Sequence, residues 1–226
     1  MFEYSDHENS PWITMDLEGW APLTEKRPTM QCRKKSILFH QDDEADAVFI
    51  VKSGRLRITS YQEDGAEKQL YIAETGSMVG ESSCLNDTRH QFSAVAIVDS
   101  VLWRVPVGEL LACMQRDWQL NRRVISLLCR KKDVFFRQIL DLSFKQATHR
   151  IASQLLNLCH QYGKEHEKGV CISIHFTQQD IAGIVNASRV TVGNVFNMFM
   201  DQGLLVREGK YFIVTDLDGM EQFCKG

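Results

Sequence analysis

Residues 177–203 read TQQDIAGIVNASRVTVGNVFNMFMDQG, two short amphipathic patterns separated by a residue suited to a turn. Thr177 and Asp180 make the S/T-x-x-D/E start of a helix, in which the hydroxyl accepts from the third amide and the acid suits the positive helix end. Ile181, Ile184 and Val185 follow three and four apart, and the run breaks at Asn186, which tolerates the left-handed conformation better than most residues. The spacing therefore predicts a first helix of about two turns. Ser188 can cap a second helix whose buried face is Val192, Val195, Phe196, Phe199 and Met200, ending at Gly203 where a left-handed cap is needed. That helix turns Arg189, Val190, Gly193, Asn194 and Asn197 to its opposite side, beginning in the turns where a helix-turn-helix protein meets base edges. An αα-hairpin with an ordinary polar outer face is the plain alternative, so the rest of the chain has to decide.

With 226 residues the chain has room for one large or two modest domains. Hydrophobic content of 44% and charge of 24% describe an ordinary soluble globular protein. No apolar run approaches the roughly 18 residues of a membrane span. The N-terminal MFEYSDHENSPW lacks the basic and then apolar regions of a signal peptide, so the cytoplasm is the expected address, without a membrane partner. The seven cysteines are scattered and include no CxxC, which predicts reduced structural thiols rather than a zinc cluster or a disulfide framework. The net charge of −3 does not advertise nucleic acid. Residues 145–226 carry eight Lys/Arg against eight Asp/Glu, leaving 18 against 21 in 1–144. A local basic patch must therefore supply any phosphate affinity.

Residues 1–28 hold Trp12, Trp20 and three of the four prolines, the marks of an irregular arm that packs by aromatic anchors. From Met30 to Pro106 short β-rich runs alternate with turn chemistry. Ser36–Phe39, Ala47–Val51, Leu56–Tyr61, Lys68–Ala73, Phe92–Ile97 and Val101–Val105 read as strands. Between them lie Gln41 to Glu44, Lys52-Ser53-Gly54, Glu63-Asp64-Gly65 and Glu74-Thr75-Gly76. Strands at this spacing imply an all-β roll or barrel. Val107–Gln115 reads as a short helix and Trp118–Phe144 as a long one. Leu120, Val124, Leu127, Leu128, Val134, Phe135, Ile139 and Leu142 give the long helix a stripe too wide for one partner, so one side is expected on the β domain and the other on a second copy of the chain. Arg122, Arg123, Arg130, Lys131 and Lys132 read as its solvated flank. Ala147–Tyr162 is amphipathic, a loop with Gly163 and Gly169 leads to a strand Val170–Phe176, and Leu204–Val214 reads as a hairpin turning at Glu208-Gly209-Lys210. A helix-turn-helix followed by such a hairpin is a winged helix, with Lys210 placed to meet the sugar-phosphate backbone.

These pieces in this order resemble the cyclic-AMP receptor protein and fumarate-nitrate regulator (Crp/Fnr) family from about Ser36 onward. The resemblance is carried by residues 48–54 (VFIVKSG), Gly80-Glu81, Arg150-Ile151-Ala152 with 155–158 (LLNL), 177–182 (TQQDIA) and 188–193 (SRVTVG). It implies an α+β fold in four parts: an arm (1–28), a cyclic-nucleotide-binding-like β-roll of jelly-roll type that senses an effector (29–116), a dimerisation helix (117–144) and a winged helix-turn-helix (145–226). The implied protein is no enzyme but a homodimeric regulator of transcription, whose partners are double-stranded DNA at a palindromic site, RNA polymerase and a small-molecule effector. Arg189 matches the family's guanine-reading arginine, which can bond O6 and N7 together. Ser188 and Gln178 match backbone-contacting positions, with Thr177, Thr191, Gly193 and Lys210 beside them. Val190 and Asn194 stand where the cyclic-AMP receptor has a glutamate and an arginine, so a thymine methyl and an adenine become their expected contacts.

In the effector site Gly80 and Glu81 occupy the turn that holds ribose and phosphate in cyclic-nucleotide members, with Ser82 next and Ser93 further on. Phe92 stands where an arginine should neutralise the phosphate. A buried phosphate without a cation is expensive, so cyclic AMP is not the expected effector. Phe135 and Phe136 replace the adenine-facing hydroxyls of the long helix, which points to an apolar or aromatic effector, somewhat as in relatives that sense halogenated phenols. No metal or cofactor is required by this reading. The alternative is a redox- or haem-responsive regulator of the same fold: too few N-terminal cysteines precede the roll for an iron-sulfur centre, while His40, Cys84 and His90 are available to haem. No phosphate loop, HExxH, nucleophile elbow or catalytic carboxylate pair supports an enzyme.

Overall fold

The computed structural model describes residues 10–63 and 67–224. It contains two compact units, one from Pro11 to Asp133 and one from Val134 onward.

In the first unit the strands are β1 (Trp12–Ile13), β2 (Met30–Cys32), β3 (Ile37–Phe39), β4 (Ala47–Ser53), β5 (Leu56–Tyr61), β6 (Glu67–Ala73), β7 (Met78–Val79), β8 (Ser93–Ala96) and β9 (Ser100–Pro106). They form a five-stranded sheet ordered β1-β6-β5-β8-β3 and a four-stranded sheet ordered β2-β9-β4-β7. The β-rich reading of this region holds apart from a short helix at Glu81–Leu85, and six of the strands lie on the runs that sequence pattern marks. Strand β4 shows why: Ala47 to Val51 are all buried, as a strand held between β9 and β7 must be. Helices α1 (Ala21–Thr24), α2 (Glu81–Leu85), α3 (Val107–Arg116) and α4 (Trp118–Phe144) complete the series to the unit boundary, which falls inside α4. Asp64 and Gly65 of one expected turn lie outside the described residues, as does most of the N-terminal MFEYSDHENSPW.

Two expectations for this half need correction. The arm is not wholly irregular: Trp12 and Ile13 pair in parallel with Ile72 and Ala73, and Trp20 is fully buried with its indole N–H donating to the Gly76 carbonyl at 2.7 Å. Nor are Arg123, Arg130 and Lys131 a solvated flank. Arg123 pairs with Asp16 at 2.9 Å and lies over the Trp20 ring, Arg130 donates to the Thr14 carbonyl at 2.7 Å, and Lys131 is buried. The cations face the arm and the roll because Leu120, Val124 and Leu127 bury that same side of α4. On the other side Ile125, Phe136, Ile139 and Leu140 are exposed by half or more.

The second unit continues α4 and adds α5 (Ala147–Tyr162), β10 (Gly163–His166), β11 (Gly169–Ile172), α6 (Gln178–Val185), α7 (Arg189–Asp201), β12 (Leu205–Glu208), β13 (Tyr211–Val214) and α8 (Leu217–Gln222). The segment at Gly163, expected as loop, is the edge strand of a four-stranded sheet ordered β10-β11-β13-β12, and β11 stops at Ile172 rather than Phe176. Phe176 instead joins a ring cluster with Phe212 (5.3 Å between centroids), which also meets Phe196 of α7 (5.1 Å). That cluster fastens wing to helix.

Candidate DNA interface and effector site

The α6–α7 pair is built as its sequence requires. The Thr177 hydroxyl accepts from the Asp180 amide at 3.1 Å while the Asp180 carboxylate accepts from the Thr177 amide at 2.8 Å, a complete capping box. Asn186 takes the left-handed turn at φ 53. Arg150 of α5 donates to the carbonyls of Val185 (2.8 Å) and Asn186 (3.3 Å), satisfying orphan acceptors at the end of α6, and to that of Lys145 (2.6 Å) just before α5. Ser188 then caps α7, its Oγ accepting from the Thr191 amide at 3.0 Å. Val192, Val195, Phe196 and Phe199 are buried, with Met200 half-buried, and Gly203 ends the helix at φ 71.

On the opposite side Arg189, Asn194 and Asn197 are exposed and Val190 is 71% exposed, a large apolar side chain held in solvent. Thr191 and Gly193 are half-buried between them. The Gln178 amide lies beside Gly193, at ordinary contact distance from where a Cβ would stand. Arg189 and the wing enclose a cleft of ≈ 470 Å³ lined also by His175, Phe176, Thr177, Gln178, Gln179, Arg207, Lys210 and Phe212. Thr177, Gln178, Arg189 and Lys210, which sequence singles out, thus share one concavity, while Val190 and Asn194 stand outside its lining. The cleft has cations and no carboxylate among its lining residues, which resolves the charge objection: the 145–226 region is neutral in sum but not locally. Arg207, His175 and Gln179 were not legible as site residues, because their membership depends on how the hairpin folds back.

In the first unit Gly80 adopts φ 86 and starts α2, the conformation that glycine alone takes without strain. Glu81 is buried and its Oε1 sits 2.8 Å from Lys131 Nζ, which also donates to the Met78 carbonyl at 2.7 Å and lies 4.9 Å from the centre of the Tyr71 ring. Burial pulls the Lys131 pKa down, but the charges and hydrogen bonds of Glu81 and Tyr71 together outweigh it and the value ends above the ordinary one. Burial raises the Tyr71 phenol. Glu81 Oε2 is buried without a hydrogen-bond partner. Ser82 is exposed, Phe92 half-buried, and Ser93 buried with its Oγ accepting from the Gln41 amide at 2.8 Å. Phe135 and Phe136 lie past the unit boundary on α4, half-buried and 56% exposed. Lys131 is the residue that sequence reasoning missed here; its partner is 50 positions away.

Of the residues weighed for haem, His90 and Cys84 are packed inside the first unit. His90 is buried and stacked on Phe39, 3.8 Å between centroids, and burial lowers its pKa despite Asp43, Asp46 and Glu81 nearby. Cys84 Sγ points at the Ala45 carbonyl (3.4 Å), and burial pushes its thiol up to about 11. His40 is exposed, and among the described residues no group of three or more His, Cys, Asp or Glu is arranged to hold a metal.

Two regions of the chain match known families. Residues 29–117 match the cyclic nucleotide-binding domain family and residues 149–223 the Crp-like helix-turn-helix domain family. A "CRP-like cAMP-activated global transcriptional regulator" of Mycobacterium tuberculosis is 26% identical over 196 residues, covering 87% of this chain and 88% of its own length. The "cAMP-activated global transcriptional regulator CRP" of Salmonella typhimurium is 29% identical over 182 residues, 80% of this chain and 86% of its own. The solved structure of a cysteine-to-serine variant of CprK complexed with OCPA shares the fold, with a TM-score of 0.77 at 21% identity over 94% of this chain and 96% of that one.

Proposed function

We propose, from the premise that this chain belongs to the Crp/Fnr family of DNA-binding transcription regulators, that it works as a homodimer on a palindromic site under control of an acidic aromatic effector. Two copies pair along the exposed side of α4, where Ile125, Phe136, Ile139 and Leu140 otherwise stand in water. Two-fold symmetry then sets the paired α7 helices about one helical turn of DNA apart. Arg189 reads a guanine, Asn194 an adenine, and Val190 a thymine methyl.

The effector reading turns on the Glu81–Lys131 pair. Relatives activated by cAMP argue for a nucleotide, and Lys131 supplies a cation that Phe92, just before β8, does not. That cation is already matched by Glu81, so a phosphodiester would have to break a buried pair to use it. A phenol-type ligand asks for less: its oxygen meets Lys131 while its ring lies against Tyr71 and Phe92. It controls DNA binding to the extent that it prefers one arrangement of the two readers.

The exposed Arg189 over an acid-free cleft is the observation that carries the DNA reading. Selecting duplexes on the protein and then on Arg189→Ala tests it: the variant should lose about 1–3 kcal/mol of preference at one G·C pair of each half-site. Unchanged preference at every position would refute the assignment. Titrating cyclic AMP and chlorinated phenols against affinity for the selected duplex tests the effector; a micromolar cyclic-AMP response with silence towards phenols overturns it.

A further inference from the structure

We infer that Arg207, on the wing strand β12, is a second backbone clamp that takes a DNA phosphodiester across the cleft from Arg189. The inference rests on the DNA-binding reading and extends it to a residue that no motif singles out. Alternation along β12 sends Arg207 and Glu208 to opposite faces. Glu208 is taken by Lys168 at 2.5 Å and His166 at 3.7 Å, so the nearest acid in sequence is turned away and occupied. Arg207 lines the cleft with Arg189 and Lys210. It is directly opposite Phe212 in the hairpin register, and its guanidinium lies over that ring, 5.8 Å from the centre.

Its Nε donates to the Gly209 carbonyl at 3.1 Å. One donor of the fork is thereby used to fix the plane, on a side chain that is exposed and lines the cleft. Asp180, the acid of the capping box, accepts from Thr177. A planar fork held by a stack and a carbonyl, in a concavity whose lining has no carboxylate, is pre-organised for a phosphate's paired oxygens. The competing account is structural: the guanidinium shields the Phe212 ring and does nothing else.

The salt dependence of binding separates the two. Affinity of the full chain for a random-sequence 30-mer duplex and for a selected operator would be followed from low to moderate potassium chloride. Replacing Arg207 by Ala should reduce the slope of log K against log salt by about 0.9 on both duplexes, a roughly eightfold loss at about 0.1 M salt. Arg207→Lys should keep the slope, and Arg189→Ala should weaken the operator more than the random duplex. Melting temperature checks each variant. A lower melting temperature with an unchanged slope for Arg207→Ala overturns the inference in favour of the shielding role. Equal slope loss in Arg207→Lys and Arg207→Ala also overturns it, since the charge would not be responsible. If Lys210→Ala changes the slope while Arg207→Ala does not, the interface stands and the clamp falls. Wild-type protein without salt-dependent duplex binding would remove both.

Discussion

Glu81 and Lys131 form a buried ion pair, their side chains 3% and 6% exposed. Such a pair adds little over an apolar replacement, but removing one partner strands the other. Lys131→Met should therefore destabilise the protein by roughly 3–5 kcal/mol in urea titration, and Lys131→Met with Glu81→Gln by distinctly less. Strictly additive losses would mean that the two charges do not depend on each other. His90 gives a pH prediction. Its folded pKa lies below the ordinary 6.5, so the unfolded chain binds the proton more readily. Stability is then full above pH 6.5 and is lost as pH falls through the lowered folded value. His90→Phe, which preserves the stack on Phe39, should flatten the stability profile from about pH 7 to 5 relative to wild type. A profile as steep as the parent's would show that another group carries the titration.

Helices of this chain are legible where the periodicity is long. Both α4 and α5 begin and end where their apolar spacing does, and α6 and α7 are delimited by Thr177, Asn186, Ser188 and Gly203. Short elements are not legible. Strand β1 has two residues and exists because Trp12 finds Ile72 in parallel register; β7 has two residues held by Phe49 and Ile50; β10 reads GKEH, a polar edge strand that pattern assigns to loop. Separation in sequence also hides Lys131 from Glu81, 50 positions away, and Arg207 from Arg189, 18 positions away. The capping box offers a test of an element that was read correctly. Thr177→Ala removes the acceptor for the Asp180 amide and should cost about 1 kcal/mol in thermal unfolding. Faster amide exchange should be confined to the first turn of α6, next to the cleft, and loss of protection spread through α7 would mean that the pair folds as a single unit instead.

Net charge for the chain is −3, and neither half is basic in sum. If the proposed interface is the one used, affinity for DNA comes from one small cleft per chain, which would make a single reader weak and the coupling of two readers decisive. On the proposed reading the apolar side of α4 is where that coupling is built. Ile139 is 58% exposed, and in a dimer it would meet its counterpart across the two-fold axis. Ile139→Asp places a carboxylate there without touching the cleft. Sedimentation should show the variant as monomer at micromolar concentrations where the parent is dimeric. Its affinity for a duplex with one half-site should match that of the parent, while its affinity for the full palindrome should fall by roughly 10²- to 10⁴-fold, the factor that linkage adds without any new contact. A monomeric variant that still binds the palindrome like the parent would separate dimerisation from recognition, and the operator would then have to be a single site.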